Sequence, residues 1–218
     1  MVAASEIQTI QARRRAWIER ARLYLVCSLR PGGRDPEDVL RPALRAGVSV
    51  IQLREKSASD HAVLRAGRLF RRLCSAYGAL FIVNDRPDLA IACGADGVHL
   101  GQDDMQITKA RALVGDEMLI GQSTHSSEQI EGAVGADYIG VGPIFETPTK
   151  AGRPAVGVDL VEAASERARV PFFAIGGIDA TNIDAVTAAG ATRVAVVRAI
   201  CDAADPGAAA HTLRNYLP

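Results

Sequence analysis

Val50-Ile-Gln-Leu-Arg-Glu-Lys56 begins as an apolar strand and ends as a cluster of charges. Because side chains alternate between the two faces of a strand, Gln52, Arg54 and Lys56 share one face and the aliphatic side chains share the other. A guanidinium and an ammonium group side by side suit an anion such as phosphate or pyrophosphate. The stretch alone is equally consistent with an ordinary strand that ends in charged residues exposed to solvent.

The composition restricts any anion site to a local feature. The chain of 218 residues has 25 basic and 25 acidic side chains, so no net charge favours nucleic acid or an anionic membrane. Lysine occurs only at Lys56, Lys109 and Lys150, and almost every other cation is Arg. Lys56 and Lys150 directly follow apolar runs, which indicates a need for compact ammonium groups that approach phosphate oxygens. Lys109 lies within a helical stretch and needs no such interpretation.

Length and segment composition favour a single cytoplasmic domain without a membrane anchor. No apolar run approaches the roughly 18 residues of a membrane span, and the N-terminus lacks the apolar core of a secretory signal. Residues 1–22 are expected to form an N-terminal helical extension, with an organellar transit segment as the alternative. The cysteines are far apart and show no Cys-x-x-Cys spacing, as expected for apolar core residues in a reducing cytoplasm. They are Cys27, Cys74, Cys93 and Cys201.

Short apolar runs recur along the rest of the chain, each followed by a turn and an Ala/Leu-rich amphipathic stretch. The runs expected to be strands are Leu23–Leu29, Val48–Leu53, Leu80–Asp85, Gly97–Gly101, Met118–Thr124, Tyr138–Pro143, Phe172–Gly177 and Val194–Ile200. Strands that alternate with helices predict right-handed crossovers and a parallel sheet. Eight such units in about 200 residues favour an α/β fold, a single (β/α)8 TIM barrel over residues 23–218. An open, doubly wound sheet is the alternative.

In such a barrel the functional groups lie at the carboxyl ends of the strands and in the loops that follow them. Polar residues cluster at those points: Gln52, Arg54, Lys56, Asn84, Asp85, His99, Asp103, Asp104, Ser123, Thr124, His125, Thr147, Thr149, Lys150 and Arg198. Asp85 and Asp104 follow neighbouring runs, and their carboxylates suit Mg²⁺ shared with a phosphorylated substrate. Each acidic residue alone has a simpler explanation, because either could cap the helix that follows it.

A second anion site is indicated after the seventh run, at Gly176-Gly177. Glycines there let backbone N–H groups approach an anion, and the loops after strands seven and eight of barrels often hold phosphate. A plain tight turn is the alternative. Two anion sites at one barrel mouth imply two phosphorylated substrates. His99 is interpreted as a hydrogen-bonded side chain of the barrel lumen, whereas His125 is ambiguous.

The motifs resemble, in order and in spacing, those of the thiamine-phosphate synthase family. They are Gln52-Leu-Arg-Glu-Lys56, Val83-Asn-Asp85, Gly97-Val-His-Leu-Gly-Gln-Asp-Asp104, Gly121-Gln-Ser-Thr-His125, Gly140-Val-Gly-Pro-Ile-Phe-Glu-Thr-Pro-Thr-Lys150 and Ala174-Ile-Gly-Gly-Ile178. The resemblance runs from about Leu23 to the C-terminus. It implies a transferase of thiamine biosynthesis that couples a hydroxymethylpyrimidine pyrophosphate to a thiazole phosphate, or its carboxylate, and releases pyrophosphate.

The resemblance also implies a role for each motif residue. The pyrimidine pyrophosphate would be held by Gln52, Arg54, Lys56, Asn84, Ser123 and Lys150, of which Arg54, Lys56, Ser123 and Lys150 would be catalytic. The thiazole phosphate would be held by Thr147, Pro148, Thr149, Gly177, Val197 and Arg198. Asp85 and Asp104 would hold Mg²⁺, which would assist the departure of pyrophosphate before the thiazole nitrogen attacks a pyrimidine carbocation. Arg198 departs from the family pattern, since some relatives have Ser there.

Two other functions fit part of the pattern. A thiazole tautomerase of similar fold could use His125 as its acid/base group, but it would not need the pyrophosphate and metal residues. A non-catalytic barrel could bind thiamine intermediates and regulate a partner, but it could lose Asp85, Asp104 and Lys150, which are all present. The expected partners are two small phosphorylated substrates, with no nucleic acid and no membrane. The sequence leaves homo-oligomerisation open.

Overall fold

The apolar runs form the strands of a closed barrel. A computed structural model describes residues 2–148 and 154–218, with side chains from residue 10 onward. Strands β1 to β8 are Leu23–Cys27, Val50–Leu53, Leu80–Asn84, Gly97–Leu100, Leu119–Thr124, Tyr138–Val141, Phe172–Ile175 and Val194–Val196. Neighbouring strands are parallel, and β1 pairs with both β2 and β8, so the sheet closes on itself. The predicted (β/α)8 barrel is confirmed, and the open sheet is wrong.

Helices surround the strands, and the first helix covers one end of the barrel. They are α1 Val2–Arg20, α2 Pro36–Arg45, α3 Asp60–Tyr77, α4 Pro87–Ala92, α5 Ile107–Val114, α6 Ser127–Gly132, α7 Asp159–Arg167, α8 Ile183–Ala188, α9 Arg198–Cys201 and α10 Pro206–Asn215, with a 3₁₀ turn at Pro31–Gly33. Asp35, Ser59 and Ser126 start helices by accepting a backbone N–H of the first turn. Among the helices of the described segments, none combines the length and the apolar character that crossing a bilayer requires.

Alternate side chains of each strand divide the core into two parts. Outward-facing residues such as Leu25 and Ile51 pack against the helices. Inward-facing residues form a separate cluster in the lumen, which includes Tyr24, Tyr138 and Phe173. Because these three rings fill the middle of the barrel, a binding cavity has room only above them, towards the carboxyl ends of the strands.

The helix α1 covers the opposite end of the barrel. Its Ile18 side chain is buried among the lumen residues. Arg14 forms an ion pair with Asp96, and Arg15 forms one with Asp137. Since Asp96 and Asp137 immediately precede β4 and β6, these pairs hold α1 against the amino-terminal ends of the strands.

The two aspartates also join neighbouring strands in equivalent ways. Asp137 accepts a hydrogen bond from the Ile120 N–H at 2.8 Å and one from Arg111 at 2.6 Å, in addition to its bond with α1. Asp96 accepts the Phe81 N–H at 2.9 Å and pairs with two arginines. A buried carboxylate is tolerated when several donors replace its water shell, and both aspartates meet this condition.

We expect Asp137→Ala to lower the free energy of unfolding by about 3 kcal/mol, because it removes the acceptor of two arginines and a backbone N–H. This value is at the low end for a buried ion pair, since the Arg15 side chain is 49% exposed while that of Asp137 is only 4% exposed. Urea unfolding followed by circular dichroism measures the change.

The matched control for this stability test is Glu131→Ala. Glu131 pairs with Arg167, and both side chains are at least half exposed. Loss of such a surface pair should cost less than about 1 kcal/mol. Equal losses in the two variants would contradict the proposed role of Asp137 as an anchor of the strand starts.

Candidate active site

A cavity of about 830 Å³ opens at the carboxyl ends of the strands. This volume lies within the usual range of small-molecule sites. Its floor consists of Tyr24, Tyr138 and Phe173, whose ring centroids are 5.2 to 6.0 Å apart. The residues predicted from the sequence that line it are Gln52, Arg54, Lys56, Asn84, Asp85, His99, Asp103, Asp104, Ser123, His125, Thr147, Gly177, Val197 and Arg198. The fold therefore brings almost all of the predicted polar residues to one place.

Two of the predicted residues that the structure describes, Thr124 and Pro148, do not line the cavity. Thr124 is buried, and its hydroxyl donates to the Gly140 carbonyl at 3.1 Å. Pro148 is exposed beside Thr147 and lies outside the lining. Thr149 and Lys150 lie outside the described residues. The geometry around the cavity therefore concerns the other members of the predicted site.

Arg54 and Lys56 form the cationic side of the cavity. The Arg54 N–H donates to the Cys27 carbonyl at 2.9 Å, which extends the pairing of β1 with β2 by one residue. This bond fixes the backbone from which both cationic side chains leave. The Lys56 ammonium lies 3.9 Å from Asp85 Oδ2, and the Lys56 side chain is 65% exposed. An ion pair this long and this exposed is weak, so an incoming anion can compete for the ammonium group.

Asp85 and Asp104 form an acidic pair beside these cations. Asp85 has a φ of 61°, a left-handed conformation that is uncommon outside glycine. Its backbone N–H donates to the His99 carbonyl at 2.8 Å, which holds the turn. Burial, a hydrogen bond with Asp104 and the charge of Asp104 raise the pKa of Asp85 to about 6. Strained backbone and neighbouring carboxylates are typical of functional sites.

The helix-cap explanation does not hold for the two aspartates. Helix α4 has Arg86 at its N-cap, and helix α5 has Gln106; neither helix has a side-chain capping bond among the described residues. Asp104 instead accepts the Gly101 N–H at 2.6 Å, within its own loop. The two carboxylates therefore meet for a reason other than helix capping.

The donor set of this pair fits a hard divalent cation. Mg²⁺ commonly takes one or two carboxylates from a protein and its other oxygens from water and substrate phosphates. Within residues 2–148 and 154–218, no three His, Cys, Asp or Glu side chains are grouped as a metal site. A cation at Asp85 and Asp104 would therefore take its other oxygens from water or from an anionic ligand held at Arg54 and Lys56.

A hydrogen-bonded row of side chains crosses the lumen at the cavity floor. Gln52 Nε2 donates to Tyr24 Oη at 2.7 Å, and Tyr24 Oη lies 3.0 Å from Tyr138 Oη. His99 continues the row, with Nδ1 at 3.2 Å from Tyr138 Oη and Nε2 at 3.0 Å from Ser123 Oγ. His99 is thus a hydrogen-bonded lumen side chain, in agreement with the interpretation of its sequence.

Sequence reasoning missed Tyr24, Tyr138 and Gln102 as site residues. The two tyrosines lie within apolar runs, where the local pattern does not separate a phenol that faces the lumen from one that packs outside. The alternation of side chains along the strand was the available signal. Leu23 and Leu25 face outward, so Tyr24 between them must face the lumen. Gln102 Nε2 donates to a backbone carbonyl of β5 at 2.6 Å and so ties the loop after β4 to that strand.

His125 is held by the backbone of the loop after β6. The imidazole Nδ1 is hydrogen-bonded to the Gly142 carbonyl, and the backbone N–H of His125 donates to Gln129 Oε1 at 2.8 Å. A carbonyl only accepts, so Nδ1 carries the hydrogen. This bond gives His125 a positioning role between β5 and β6.

Gly176 and Gly177 allow the loop after β6 to pack against the end of β7. Both have positive φ, at 107° and 65°. A Cβ on Gly176 would lie 2.5 Å from Pro143 Cα, and one on Gly177 would lie 2.7 Å from Phe145 Cβ. The glycines therefore provide space for this loop, which carries Thr147 to the cavity.

We expect Gly177→Ala to lose clearly more stability than Gly94→Ala, as measured by urea unfolding. The two glycines have nearly the same left-handed φ, 65° and 61°, so both variants share a backbone cost of about 1–2 kcal/mol. A Cβ on Gly94 meets no atom of the described residues within 4 Å, whereas one on Gly177 overlaps Phe145. Equal losses would mean that the loop after β6 moves aside at no cost.

The chain forms a (β/α)8 barrel with a cavity of small-molecule size at the carboxyl ends of its strands. Residues 23–200 match the family model described as thiamine monophosphate synthase. The chain belongs to this family, so the resemblance predicted from its motifs is confirmed.

Individual relatives extend over most of the chain. A thiamine-phosphate synthase of Gloeobacter violaceus is 53% identical over 195 residues, which cover 88% of this chain and 56% of that protein. One of Acidothermus cellulolyticus is 50% identical over 200 residues, which cover 90% of this chain and 94% of that protein. The solved thiamine phosphate pyrophosphorylase of Pyrococcus furiosus has a TM-score of 0.83 and 34% identity, covering 91% of this chain and 96% of its own.

The chain differs in length from several of these relatives. It spans 54–60% of the length of the Gloeobacter, Thermosynechococcus and Nostoc synthases. The family match, residues 23–200, begins at the first residue of β1 and includes all eight strands.

Proposed function

We propose that the chain is a thiamine-phosphate synthase. It would couple 4-amino-2-methyl-5-hydroxymethylpyrimidine pyrophosphate to 4-methyl-5-(2-phosphoethyl)thiazole, or its carboxylate, and form thiamine phosphate and pyrophosphate. The observation that carries this proposal is the meeting of Arg54 and Lys56 with the acidic pair, Asp85 and Asp104, in one cavity. Membership of the family and the names of the relatives support the same activity.

The pyrophosphate group is proposed to bind at the cationic side of the cavity. Arg54, Lys56 and Lys150 would supply positive charge, and Asn84 and Ser123 would supply neutral hydrogen bonds. As the C–O bond breaks, its electrons pass to the leaving pyrophosphate oxygen, and cations fixed beside that oxygen lower the barrier. Lys150 is assigned from the sequence alone.

Asp85 and Asp104 are the proposed ligands of Mg²⁺. When bound, Mg²⁺ would supply the charge that neutralises pyrophosphate as it leaves. Arg54 and Lys56 lower the pKa of Asp85, against the burial and the Asp104 contact that raise it. The two cations therefore help to keep a metal ligand ionised as well as contact the substrate.

The thiazole phosphate is proposed to bind on the other side of the mouth, at Thr147, Pro148, Thr149, Gly177, Val197 and Arg198. The packing of the loop after β6 against Gly177 brings Thr147 to this side. Arg198 is exposed at the start of α9, where a guanidinium can reach a phosphate from solvent. Pro148 is assigned only by its place between the two threonines.

The pyrimidine ring is proposed to rest on the aromatic floor. An electron-rich aminopyrimidine stabilises positive charge on its methylene, so pyrophosphate can leave before the thiazole nitrogen donates its lone pair to that carbon. This sequence of steps requires no strong base. The protein's task is to hold the two substrates in line and exclude water, which the packed floor of Tyr24, Tyr138 and Phe173 favours.

The tautomerase alternative is less well supported by the site. The Nδ1 hydrogen of His125 binds the Gly142 carbonyl, and Nε2 would then be the nitrogen that acts as base, so His125 does not distinguish the two functions. The tautomerase alternative is weaker because it gives the cationic side of the cavity and the acidic pair no function. A non-catalytic binding barrel would leave the strained Asp85 turn equally unexplained.

We also propose that residues 1–22 are an extension of a barrel unit formed by residues 23–218. The contacts of α1 with Asp96 and Asp137, at the end of the barrel opposite the cavity, support this division. We propose that the protein acts in the cytoplasm on its two small substrates, without a nucleic-acid or membrane partner.

We expect the purified chain, supplied with both substrates and Mg²⁺, to form thiamine phosphate and pyrophosphate in equal amounts, measured by chromatography. Lys56→Ala should lower the rate about a hundredfold, because it removes a charge beside the leaving group. His125→Asn should retain most of the rate, since the Asn amide can replace the Nδ1–H donor to the Gly142 carbonyl.

The control for the loss of charge is Lys109→Ala. Lys109 is an exposed residue of α5 away from the cavity, so this variant should match the unchanged protein. Absence of product from the folded chain would contradict the synthase proposal. Loss of turnover in a folded His125→Asn protein would restore acid/base chemistry and favour a tautomerase.

We expect excess EDTA to abolish turnover and added Mg²⁺ to restore it. Asp85→Asn should lose most activity and also the calorimetric heat of Mg²⁺ binding in the presence of pyrophosphate, because the amide removes a charged ligand. Asp116→Asn, at an exposed position before β5, serves as the control. Full turnover in excess EDTA, or unchanged Mg²⁺ binding by Asp85→Asn, would contradict the metal assignment.

A further inference from the structure

The row across the lumen starts from a group that can only donate. Gln52 Nε2 carries hydrogens and offers no lone pair, and it lies 2.7 Å from Tyr24 Oη. Tyr24 therefore accepts this bond and must donate its own hydrogen elsewhere. Tyr138 Oη, at 3.0 Å, is the neighbouring acceptor.

The same reasoning continues through Tyr138 to the imidazole. Tyr138 accepts from Tyr24, so its own hydrogen goes to His99 Nδ1 at 3.2 Å. With Nδ1 as acceptor, a neutral imidazole carries its hydrogen on Nε2, which donates to Ser123 Oγ at 3.0 Å. Burial raises the pKa of both phenols well above the ordinary value, so each phenol keeps its hydrogen.

Ser123 is the end of the row and the point where it meets the cavity. Because Ser123 Oγ accepts from His99, the Ser123 hydroxyl hydrogen can be donated to a ligand. The reverse direction would require Gln52 to present its oxygen to Tyr24, and it would direct the Ser123 hydrogen at His99. Ser123 would then face an anion with lone pairs only, which is unfavourable.

Packing alone does not explain hydroxyl groups at these positions. Tyr24 and Tyr138 are buried at 2% and 0% exposure, and Phe173 beside them shows that Phe fits the same floor. Buried hydroxyl groups are costly unless every one is paired, so Phe would be the simpler core residue. The hydroxyl groups of Tyr24 and Tyr138 therefore indicate a function other than filling the lumen.

The sequence also makes room for the row. A Cβ on Gly121 would lie 2.2 Å from Tyr138 Cζ and 2.5 Å from His99 Nδ1. Any larger residue at Gly121 would disturb the bond between Tyr138 and His99.

We propose that Tyr24, Tyr138 and His99 are positioning residues that form a one-way chain of donors from Gln52 to Ser123. The chain holds His99 as the Nε2–H tautomer and directs the Ser123 hydroxyl hydrogen at the anion in the cavity. This inference rests on the proposed function for the identity of that anion, the leaving pyrophosphate. The direction of the chain is a property of the protein alone.

The tautomer of His99 tests the direction without any substrate. Long-range ¹H–¹⁵N spectra of histidine-labelled protein at neutral pH should show His99 as the Nε2–H form and His125 as the Nδ1–H form. The exposed His61 and His211 provide the averaged reference, and His99→Asn assigns the signal. Nδ1–H or an averaged imidazole at His99 would overturn the proposal.

Kinetics test whether the row acts through Ser123. Tyr138→Phe keeps the ring and removes the hydroxyl, and it should lower the single-turnover rate of pyrophosphate release about tenfold at saturating substrates. In a Ser123→Ala background the same change should have no further effect, because its target is gone. Tyr216→Phe, the same replacement at a tyrosine that is 39% exposed, is the control and should leave the rate unchanged.

A merely structural role for Tyr138 would give a different result. Tyr138→Phe would then lower the rate by the same factor in both backgrounds, and this additivity would overturn the proposal. An unchanged rate in Tyr138→Phe would also overturn it. If the unchanged protein makes no thiamine phosphate, the synthase proposal fails, and the His99 tautomer still decides the direction of the row.

Discussion

The pairing of β1 with β8 is the interaction on which the rest of the structure depends. It closes the sheet, so that the carboxyl ends of all strands form one ring around a cavity of about 830 Å³. In an open sheet, Gln52 and Arg198 would lie at distant strand ends. The row from Gln52 to Ser123 also depends on closure, because its side chains come from five strands and meet only across a lumen.

The two ends of the barrel use acidic residues in opposite ways. At the amino-terminal end, Asp137 has three donors, and its charge is fully compensated. At the carboxyl end, Asp85 lies against another carboxylate, in a strained turn and with a raised pKa. The first arrangement stabilises the fold, whereas the second is the proposed site of a cation. This contrast agrees with the general separation of stability and function in barrels.

Glycines in this protein provide space more than flexibility. Gly121 leaves room for the bond between Tyr138 and His99, and Gly177 leaves room for the loop after β6. A side-chain carbon at Gly121 would overlap Tyr138 and His99, which line the cavity, and one at Gly177 would overlap Phe145 in the loop after β6. The polar row and the loop can therefore approach closely while the barrel wall stays tightly packed.

The sequence by itself determined the strands and the wall of the site. Side-chain alternation and strand ends are local properties, so Gln52, Arg54 and the position of Asp85 followed from their neighbours in the chain. Only the tertiary structure decided that Tyr24 and Tyr138, 114 residues apart, share a hydrogen bond. Closure and register set that contact, and no local pattern records them. The same reason explains why the direction of the row became visible only in the folded barrel: it depends on distances between residues that lie far apart in the chain.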